Sequence, residues 1–252
     1  MHDHISVDVR DGVQTIRFDR AEYGNALNAE MFDLAADAVS LAERNTSVRA
    51  VVVAGMPGMF TAGHDPAELR GFVEQGKFGE APIRFMKTFA TIDKPVGAAV
   101  DGLCAGIGTV LLLHCDFVVA SEWSVFAAGC ADIGMAPEGG ASILAPLILG
   151  YHRAFELIVL GEQFDAQRAL ESGLINRVVA PEEVDDVAHA CAASLASKPP
   201  EAVRTARRLM RGDRRDVLAR INHEAASFAD LLRSPAALDA LALFTERATG
   251  DA

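Results

Sequence analysis

The chain of 252 residues is long enough for one large domain or for a core with an appendage. Half of its residues are hydrophobic, and 35 acidic residues against 23 lysines and arginines give a formal net charge of −12. This balance disfavours nucleic-acid backbones and anionic membrane surfaces as partners, whereas an anionic small ligand could still bind at a local basic patch.

The first half of the chain alternates between predicted strands and helices. Residues 5–10 and 13–20 alternate around Asp11-Gly12, which is typical of a β-hairpin, and residues 28–44 have helical periodicity with Asn28 placed as the cap. The further predicted elements are strands at 49–55, 94–102, 116–121 and 124–129, and helices near 66–75, 80–91 and 105–115. Strands followed by glycine-bearing loops and helices predict an α/β fold with ligand groups at the junctions.

Beyond about residue 150 the pattern becomes helical, and only residues 174–179 are predicted to form a strand. A helical tail with one apolar face has two interpretations. It can pack on a neighbouring subunit, or it can fold back as a cap on its own core. The periodicity does not decide between them.

The four cysteines, Cys104, Cys115, Cys130 and Cys191, form no pair with the spacing of a zinc site or a redox motif. We interpret them as thiols in a reduced compartment. The N-terminal residues contain no apolar signal-peptide core, and no apolar run is long enough to span a bilayer. We therefore expect a soluble, cytoplasmic protein.

Two glycine-rich loops could bind an oxygen that becomes negative during a reaction. "GLCAGIG" (102–108) lacks the third glycine and the acidic residue of a dinucleotide-binding fingerprint, so backbone N–H groups at a helix start are the better interpretation. "TAGHD" (61–65) follows another predicted strand in the same way. If both loops donate to one oxygen, each donor contributes about 3–4 kcal/mol. The alternative is that the glycines only close tight turns.

A third stretch, "GMAPEGGASIL" (134–144), places Glu138 between a proline and two glycines before an apolar run. One interpretation is a carboxylate that points into a cleft, where apolar neighbours such as Met135, Phe126 and Ile143 would raise its pKa toward the working range. The other is an acid in the first turn of a helix, stabilised there by the helix dipole.

Four segments in order resemble the crotonase, or enoyl-CoA hydratase/isomerase, superfamily over nearly the whole chain. They are "NALN" (25–28), "FTAGHDPAEL" (60–69), "KPVGAAVDGLCAGIGTVLLLHCDFVVAS" (94–121), and the section from "GMAPEGGAS" to "LINRVV". The resemblance implies a crotonase-like spiral of strand–strand–helix repeats over residues 1–195. It further implies a helical trimerisation region over residues 196–252, in a homotrimer or a dimer of trimers.

The resemblance also implies an acyl-CoA thioester as substrate, with coenzyme A belonging to the substrate and no separate cofactor or metal. Carried over by position, the backbone N–H groups of His64 and Ile107 become the two donors to the thioester oxygen. Because both donations come from the backbone, the His64 imidazole is expected to have a structural or local role.

Two departures from the family pattern bear on the activity. Hydratases of this family use two glutamates, and the corresponding positions here are Val110 and Cys130. Glu138, in contrast, matches the turn that carries the glutamate base of peroxisomal-type Δ3,Δ2-enoyl-CoA isomerases. One carboxylate suffices for isomerisation, so we expect Glu138 to act as the proton shuttle. Asp132 is a possible helper acid, and Cys130 is expected to be a small buried residue.

The resemblance assigns coenzyme A contacts to one set of residues, Ala26, Leu27, Ala62, Gly63, Asp65, Pro66 and Gly106. Arg20 is a plausible phosphate partner, and Phe244 stands where the family offers an aromatic ring to a neighbour's adenine.

Other reactions on the same scaffold remain open, namely hydration, hydrolysis, ring chemistry and dehalogenation. A non-catalytic acyl-CoA-binding role is also open. RNA binding would need the basic segment 204–215, and the acidic chain disfavours it.

Overall fold

The computed structural model describes residues 4–250, without the side chains of Ala236 and residues 244–250. Strands β1 (Ile5–Arg10) and β2 (Val13–Phe18) form the predicted antiparallel hairpin. Asp11 and Gly12 make its turn with positive φ angles of 53° and 76°, a conformation that explains the Asp-Gly pair.

Eight further strands follow. They are β3 (Ala50–Ala54), β4 (Met59–Thr61), β5 (Val96–Val100), β6 (Leu103–Ala105), β7 (Phe117–Ser121), β8 (Val125–Ala127), β9 (Phe164–Asp165) and β10 (Arg177–Val179). A six-stranded sheet has the order β1–β2–β3–β5–β7–β10, and a four-stranded sheet has the order β4–β6–β8–β9. All pairings are parallel except β1 with β2 and β8 with β9.

Eleven helices are present in the described residues. They are α1 (Ala29–Arg44), α2 (Pro66–Gln75), α3 (Glu80–Thr91), α4 (Ile107–Leu112), α5 (Ala141–Leu149), α6 (Tyr151–Ile158), α7 (Ala166–Ser172), α8 (Val184–Ala196), α9 (Pro200–Arg211), α10 (Arg215–Leu231) and α11 (Pro235–Gly250). The predicted cap of α1 is confirmed, because the Asn28 side chain accepts from the Met31 N–H.

The predicted α/β fold is confirmed, and the chain turns in strand–strand–helix repeats. Strands β3, β5 and β7 of the large sheet are each followed by a short strand of the small sheet and then by a helix. The expectation of a single strand after residue 150 is wrong, because Phe164–Asp165 pairs with β8. Two residues are too few to show a period, so only the pairing reveals this strand.

The C-terminal helices differ in how much of their surface the core covers. Helix α10 packs on α3 and α5, and α11 packs on α2, so both fold back on their own core. Helix α9 has no buried residue, and its Leu209 and Met210 are 79% and 88% exposed. The prediction of a boundary at residue 195 stays a prediction.

Candidate active site

The small sheet positions three loops around one cavity of about 300 Å³. Strands β4, β6 and β8 are adjacent and parallel, so the loops that leave their carboxyl ends meet on one side. The predicted site residues that line this cavity are Ala62, Gly63, His64, Gly106, Cys130, Asp132 and Glu138. Met135 also lines it, whereas Phe126 and Ile143 do not.

The loops after β4 and β6 approach each other closely at two glycines. A Cβ added to Gly106 would lie 3.7 Å from the Cα of Gly63, and one added to Gly63 would lie 3.1 Å from the carbonyl oxygen of Ala105. Both glycines have positive φ, 94° at Gly63 and 53° at Gly106. Glycine is therefore favoured at both positions by conformation and at Gly63 also by space.

The backbone at His64 and at Ile107 offers two N–H groups at this contact. Leu27 donates to the carbonyl of Gly63 and accepts from the N–H of Asp65, so the N–H of His64 points to the opposite side. Ile107 is the first residue of α4, where the N–H has no acceptor inside the helix. Neither N–H donates to another group of the described residues. Ile107 is fully buried and does not itself line the cavity, so its role as a donor stays a prediction.

Glu138 lies before α5, not in its first turn, which rules out the helix-start interpretation. Helix α5 begins at Ala141, whose N–H donates to the carbonyl of Glu138. The carboxylate turns into the cavity instead, with its side chain 13% exposed. Both of its oxygens lie 2.9 Å from Nε2 of His64, a contact between residues 74 positions apart.

The imidazole of His64 is enclosed by aromatic rings. The ring centroids of Phe32, Phe72 and Phe78 lie 5.3, 6.1 and 6.0 Å from that of His64, and the His64 side chain is 7% exposed. Aromatic packing of this kind fixes the orientation of the ring. Its Nδ1 is buried and has no hydrogen-bond partner among the described residues.

Two buried titratable residues hold the turn after Glu138, and the sequence analysis missed both. The Glu224 carboxylate accepts from the N–H of Gly140 at 2.5 Å and from the N–H and hydroxyl of Ser142 at 2.9 and 2.6 Å. Nε2 of His114 lies 2.7 Å from the carbonyl oxygen of Gly139 and donates to it. Glu224 could have been found as an acid on the buried stripe of α10, three residues after Ile221.

The other reactive side chains at the cavity have different surroundings. Burial and the charge of Glu138 raise the pKa of the Cys130 thiol to about 11, so the thiol is neutral near pH 7. Asp132 is exposed, and its carboxylate rests on Gly161, where an added Cβ would lie 2.1 Å from Oδ2. Val110 lines the cavity with an apolar side chain that can neither accept nor donate a proton.

Among the residues assigned to coenzyme A, Ala26 and Leu27 lie against the loop after β4. Ala26 and Leu27 are 4% and 1% exposed, and their N–H and carbonyl groups already bond within the protein. Asp65 is also buried, and its carboxylate caps α2 by accepting from the Ala67 N–H at 2.7 Å. Pro66 begins α2. A coenzyme A contact at Ala26 or Leu27 would therefore use the second lone pair of a carbonyl.

The assignment of Arg20 to a phosphate is corrected by its position. The side chain is buried, donates to the carbonyl of Ala26, pairs with Asp65, and lies over the ring of Tyr23. A guanidinium bound in this way serves the fold rather than a ligand at the surface. The prediction for Phe244 falls outside the described side chains.

Among the described side chains of residues 4–250, no group of three or more His, Cys, Asp or Glu is placed to hold a metal ion. Within the same range, no helix has both the length and the apolar character needed to cross a bilayer.

Comparison with known proteins identifies the family of this chain. The sequence model described as enoyl-CoA hydratase/isomerase matches residues 8–250. The chain is 33% identical to 1,2-epoxyphenylacetyl-CoA isomerase of Escherichia coli K12, covering 79% of this chain and 78% of that protein. It is 32% identical to 4-chlorobenzoyl coenzyme A dehalogenase-2 of Arthrobacter sp, covering 78% and 73%. The crystal structure of an enoyl-CoA hydratase/isomerase from Pseudoalteromonas atlantica T6c superposes with a TM-score of 0.89 at 32% identity over 97% of both chains.

Proposed function

The chain belongs to the enoyl-CoA hydratase/isomerase family, and from this premise we propose that it is a Δ3,Δ2-enoyl-CoA isomerase. The family makes it an enzyme of acyl-CoA thioesters, and its fold is the crotonase-like fold of its structural relatives.

One observation carries the proposal. Glu138 is a largely buried carboxylate that shares its cavity with the two glycine loops, while the positions of the two hydratase glutamates hold Val110 and Cys130. Hydration needs groups to activate water and to handle the α-proton, and neither a valine nor a neutral thiol serves. Moving a double bond needs one group that takes a proton and returns it.

The reaction then runs in two steps around Glu138. Its carboxylate removes a proton from C2 of a 3-enoyl thioester, and the electrons delocalise into a dienolate whose oxygen accepts from the N–H groups of His64 and Ile107. The carboxylic acid so formed returns the proton at C4, which leaves the 2-enoyl thioester. The two donors stabilise negative charge that exists only between the steps.

Product analysis tests the reaction. The purified protein should convert 3-hexenoyl-CoA to 2-hexenoyl-CoA without a change of mass. Glu138→Gln should lower kcat on the order of 10²- to 10⁴-fold, because it removes the proton carrier. Glu122→Gln, at an exposed position outside the cavity, is the matched control and should keep full activity.

Other outcomes would replace the proposal. A product heavier by one water would indicate hydration, and chloride release from a chlorinated aroyl thioester would indicate dehalogenation. Tight acyl-CoA binding without turnover would indicate a non-catalytic member. Full activity of Glu138→Gln on every thioester turned over would exclude this carboxylate as the base.

We further propose a homotrimer or a dimer of trimers. Three exposed apolar side chains support it, Leu147, Ile148 and Met210, which line a cavity of about 720 Å³ between α5 and α9. A single subunit would leave this apolar surface in water. The mass from analytical ultracentrifugation should correspond to three or six subunits. Leu147→Glu should dissociate this assembly into smaller species. A wild-type monomer would contradict the assembly.

We propose a reduced cytoplasmic compartment because the four cysteines are free thiols.

A further inference from the structure

The imidazole of His64 has no part in the proton transfer proposed above, yet it lies against the group that carries the proton. Its Nε2 is 2.9 Å from both Oε1 and Oε2 of Glu138. The two side chains are 7% and 13% exposed, so water screens the contact little. A hydrogen bond to an ionised carboxylate in such surroundings is stronger than one between neutral groups.

The surroundings of the other ring nitrogen indicate where the proton of the imidazole lies. Nδ1 is buried without a partner among the described residues, and α1 and α2 bring the rings of Phe32 and Phe72 against the imidazole. An N–H at Nδ1 would be a buried donor without an acceptor, which is costly. The proton therefore belongs on Nε2, which makes a neutral imidazole that donates to the carboxylate.

We propose that His64 is a positioning residue whose Nε2–H holds the Glu138 carboxylate at a fixed place relative to the backbone N–H of the same His64. This proposal rests on the proposed function, since that N–H is one of the two donors to the thioester oxygen. One residue thereby links the loop that binds the enolate to the loop that carries the base. The imidazole acts through Glu138 and does not itself exchange protons with the substrate.

Four other titratable side chains lie near the pair and bear on any pH profile. The pKa of Cys130 is raised to about 11 and that of His114 lowered to about 3, both mainly by burial, so neither changes charge near neutral pH. Glu224, on α10, is bonded to the turn after Glu138, and burial raises its pKa. Asp132 is exposed at the rim of the cavity.

Two substitutions at position 64 separate the hydrogen bond from the packing. His64→Phe keeps an aromatic ring and the backbone N–H but loses the donor. His64→Gln places an amide nitrogen three bonds from Cβ, as Nε2 is in histidine. We expect His64→Phe to lower kcat on the order of 10²-fold with KM nearly unchanged and to displace the acidic limb of the kcat/KM profile. His64→Gln should recover most of the loss. His223→Gln, exposed on α10, is the matched control.

Two outcomes would contradict the role proposed for His64. A His64→Phe enzyme with wild-type kcat and pH profile would overturn the positioning role. So would a folded His64→Gln enzyme as slow as His64→Phe, since packing alone would then explain the loss. Thermal unfolding of both variants distinguishes a folded, slow enzyme from a misfolded one.

A second readout does not depend on activity. In protein labelled with ¹⁵N-histidine, the ring nitrogens of His64 should report a neutral ring with the proton on Nε2, and Glu138→Gln should shift the Nε2 signal. A protonated Nδ1, or a signal indifferent to Glu138→Gln, would overturn the pairing. If this pairing is observed but no 3-enoyl thioester is isomerised, the proposed function fails and the His64–Glu138 contact stands.

Discussion

Arg20 and Asp65 form an ion pair inside the fold, with Nη1 2.5 Å from Oδ2 and side chains only 10% and 11% exposed. Asp65 directly follows His64, and Arg20 also binds the carbonyl of Ala26. The pair therefore joins the segment before α1 to the loop after β4, which supplies one of the proposed donors to the thioester oxygen.

Asp65→Asn should destabilise the protein strongly while leaving the cap of α2 in place. An asparagine can still accept from the Ala67 N–H, but Arg20 would keep a buried charge without its partner. Breaking a buried pair in this way costs about 3–5 kcal/mol. Urea unfolding would measure the loss.

The control for Asp65→Asn is Lys77→Gln, which removes an exposed partner of Glu80 and should leave the stability nearly unchanged. An Arg20→Gln enzyme of wild-type stability with a raised KM for acyl-CoA would instead restore the phosphate role to Arg20.

Cys130 should be dispensable for catalysis. Its Sγ donates to the carbonyl of Ile158 at 3.4 Å, and its pKa is raised to about 11 by burial and by the charge of Glu138. A neutral thiol is a poor nucleophile and a poor base, so Cys130→Ala should keep kcat within roughly twofold of the wild type. Cys191→Ala, at a half-buried position on α8, is the matched control.

Alkylation provides a second measurement on Cys130. Iodoacetamide at neutral pH should leave the residue unmodified in the folded protein, as followed by mass spectrometry. Rapid labelling that also abolishes activity would show an ionised thiol at the site and refute the assignment.

His114 should make the fold sensitive to acid. Burial, with a smaller contribution from Arg211, lowers its pKa to about 3, whereas in the unfolded chain it takes up a proton near 6.5. Between these values the unfolded state binds more protons than the folded state. The free energy of unfolding should therefore fall as the pH drops from about 6.5 toward about 3.

Replacing His114 by Gln should remove this part of the pH dependence. The stability difference between wild type and His114→Gln should shrink as the pH is lowered from about 8 to about 4, because only the wild type loses stability through this ring. His152→Gln, exposed on α6, should give a curve parallel to that of the wild type. Parallel curves for His114→Gln would show that the ring is not buried in its neutral form.

Local signals in the sequence predict the outer framework of the fold. The β1–β2 hairpin follows from alternation around Asp11-Gly12, and the start of α1 follows from Asn28. Strands β4 and β6 escaped prediction because they lie within glycine-rich segments, and β9 because two residues carry no period; all three exist through pairing in the second sheet.

Part of the candidate site could be predicted from the sequence, and part depends on contacts between residues that are far apart in the chain. Resemblance to the family points to the loops at His64 and Ile107 and to Glu138. Periodicity contains nothing about the hydrogen bond between His64 and Glu138, 74 residues apart, or about the one between Gly140 and Glu224, 84 residues apart. The first depends on how separate repeats of the spiral pack together, and the second on how α10 packs on α5.

Glu224 should affect both the stability and the rate through the turn that follows Glu138. Burial raises its pKa above the usual 4.5, although the bonds from Ser142 and Gly140 oppose the shift. Between pH 4.5 and the raised pKa, the folded state holds a proton that the unfolded state has lost. The free energy of unfolding should therefore fall as the pH rises through this range. Glu224→Gln should abolish that decline.

Glu224→Gln should also slow the enzyme. The amide can still accept from Ser142, but its NH₂ group faces the N–H of Gly140, and the unmatched donors cost about 1–3 kcal/mol. The turn should then shift and carry Glu138 with it, so kcat should fall while acyl-CoA binding, measured by calorimetry, is retained. Glu201→Gln, exposed on α9, is the matched control. A variant with wild-type kcat would show that the position of Glu138 does not depend on this buried carboxylate.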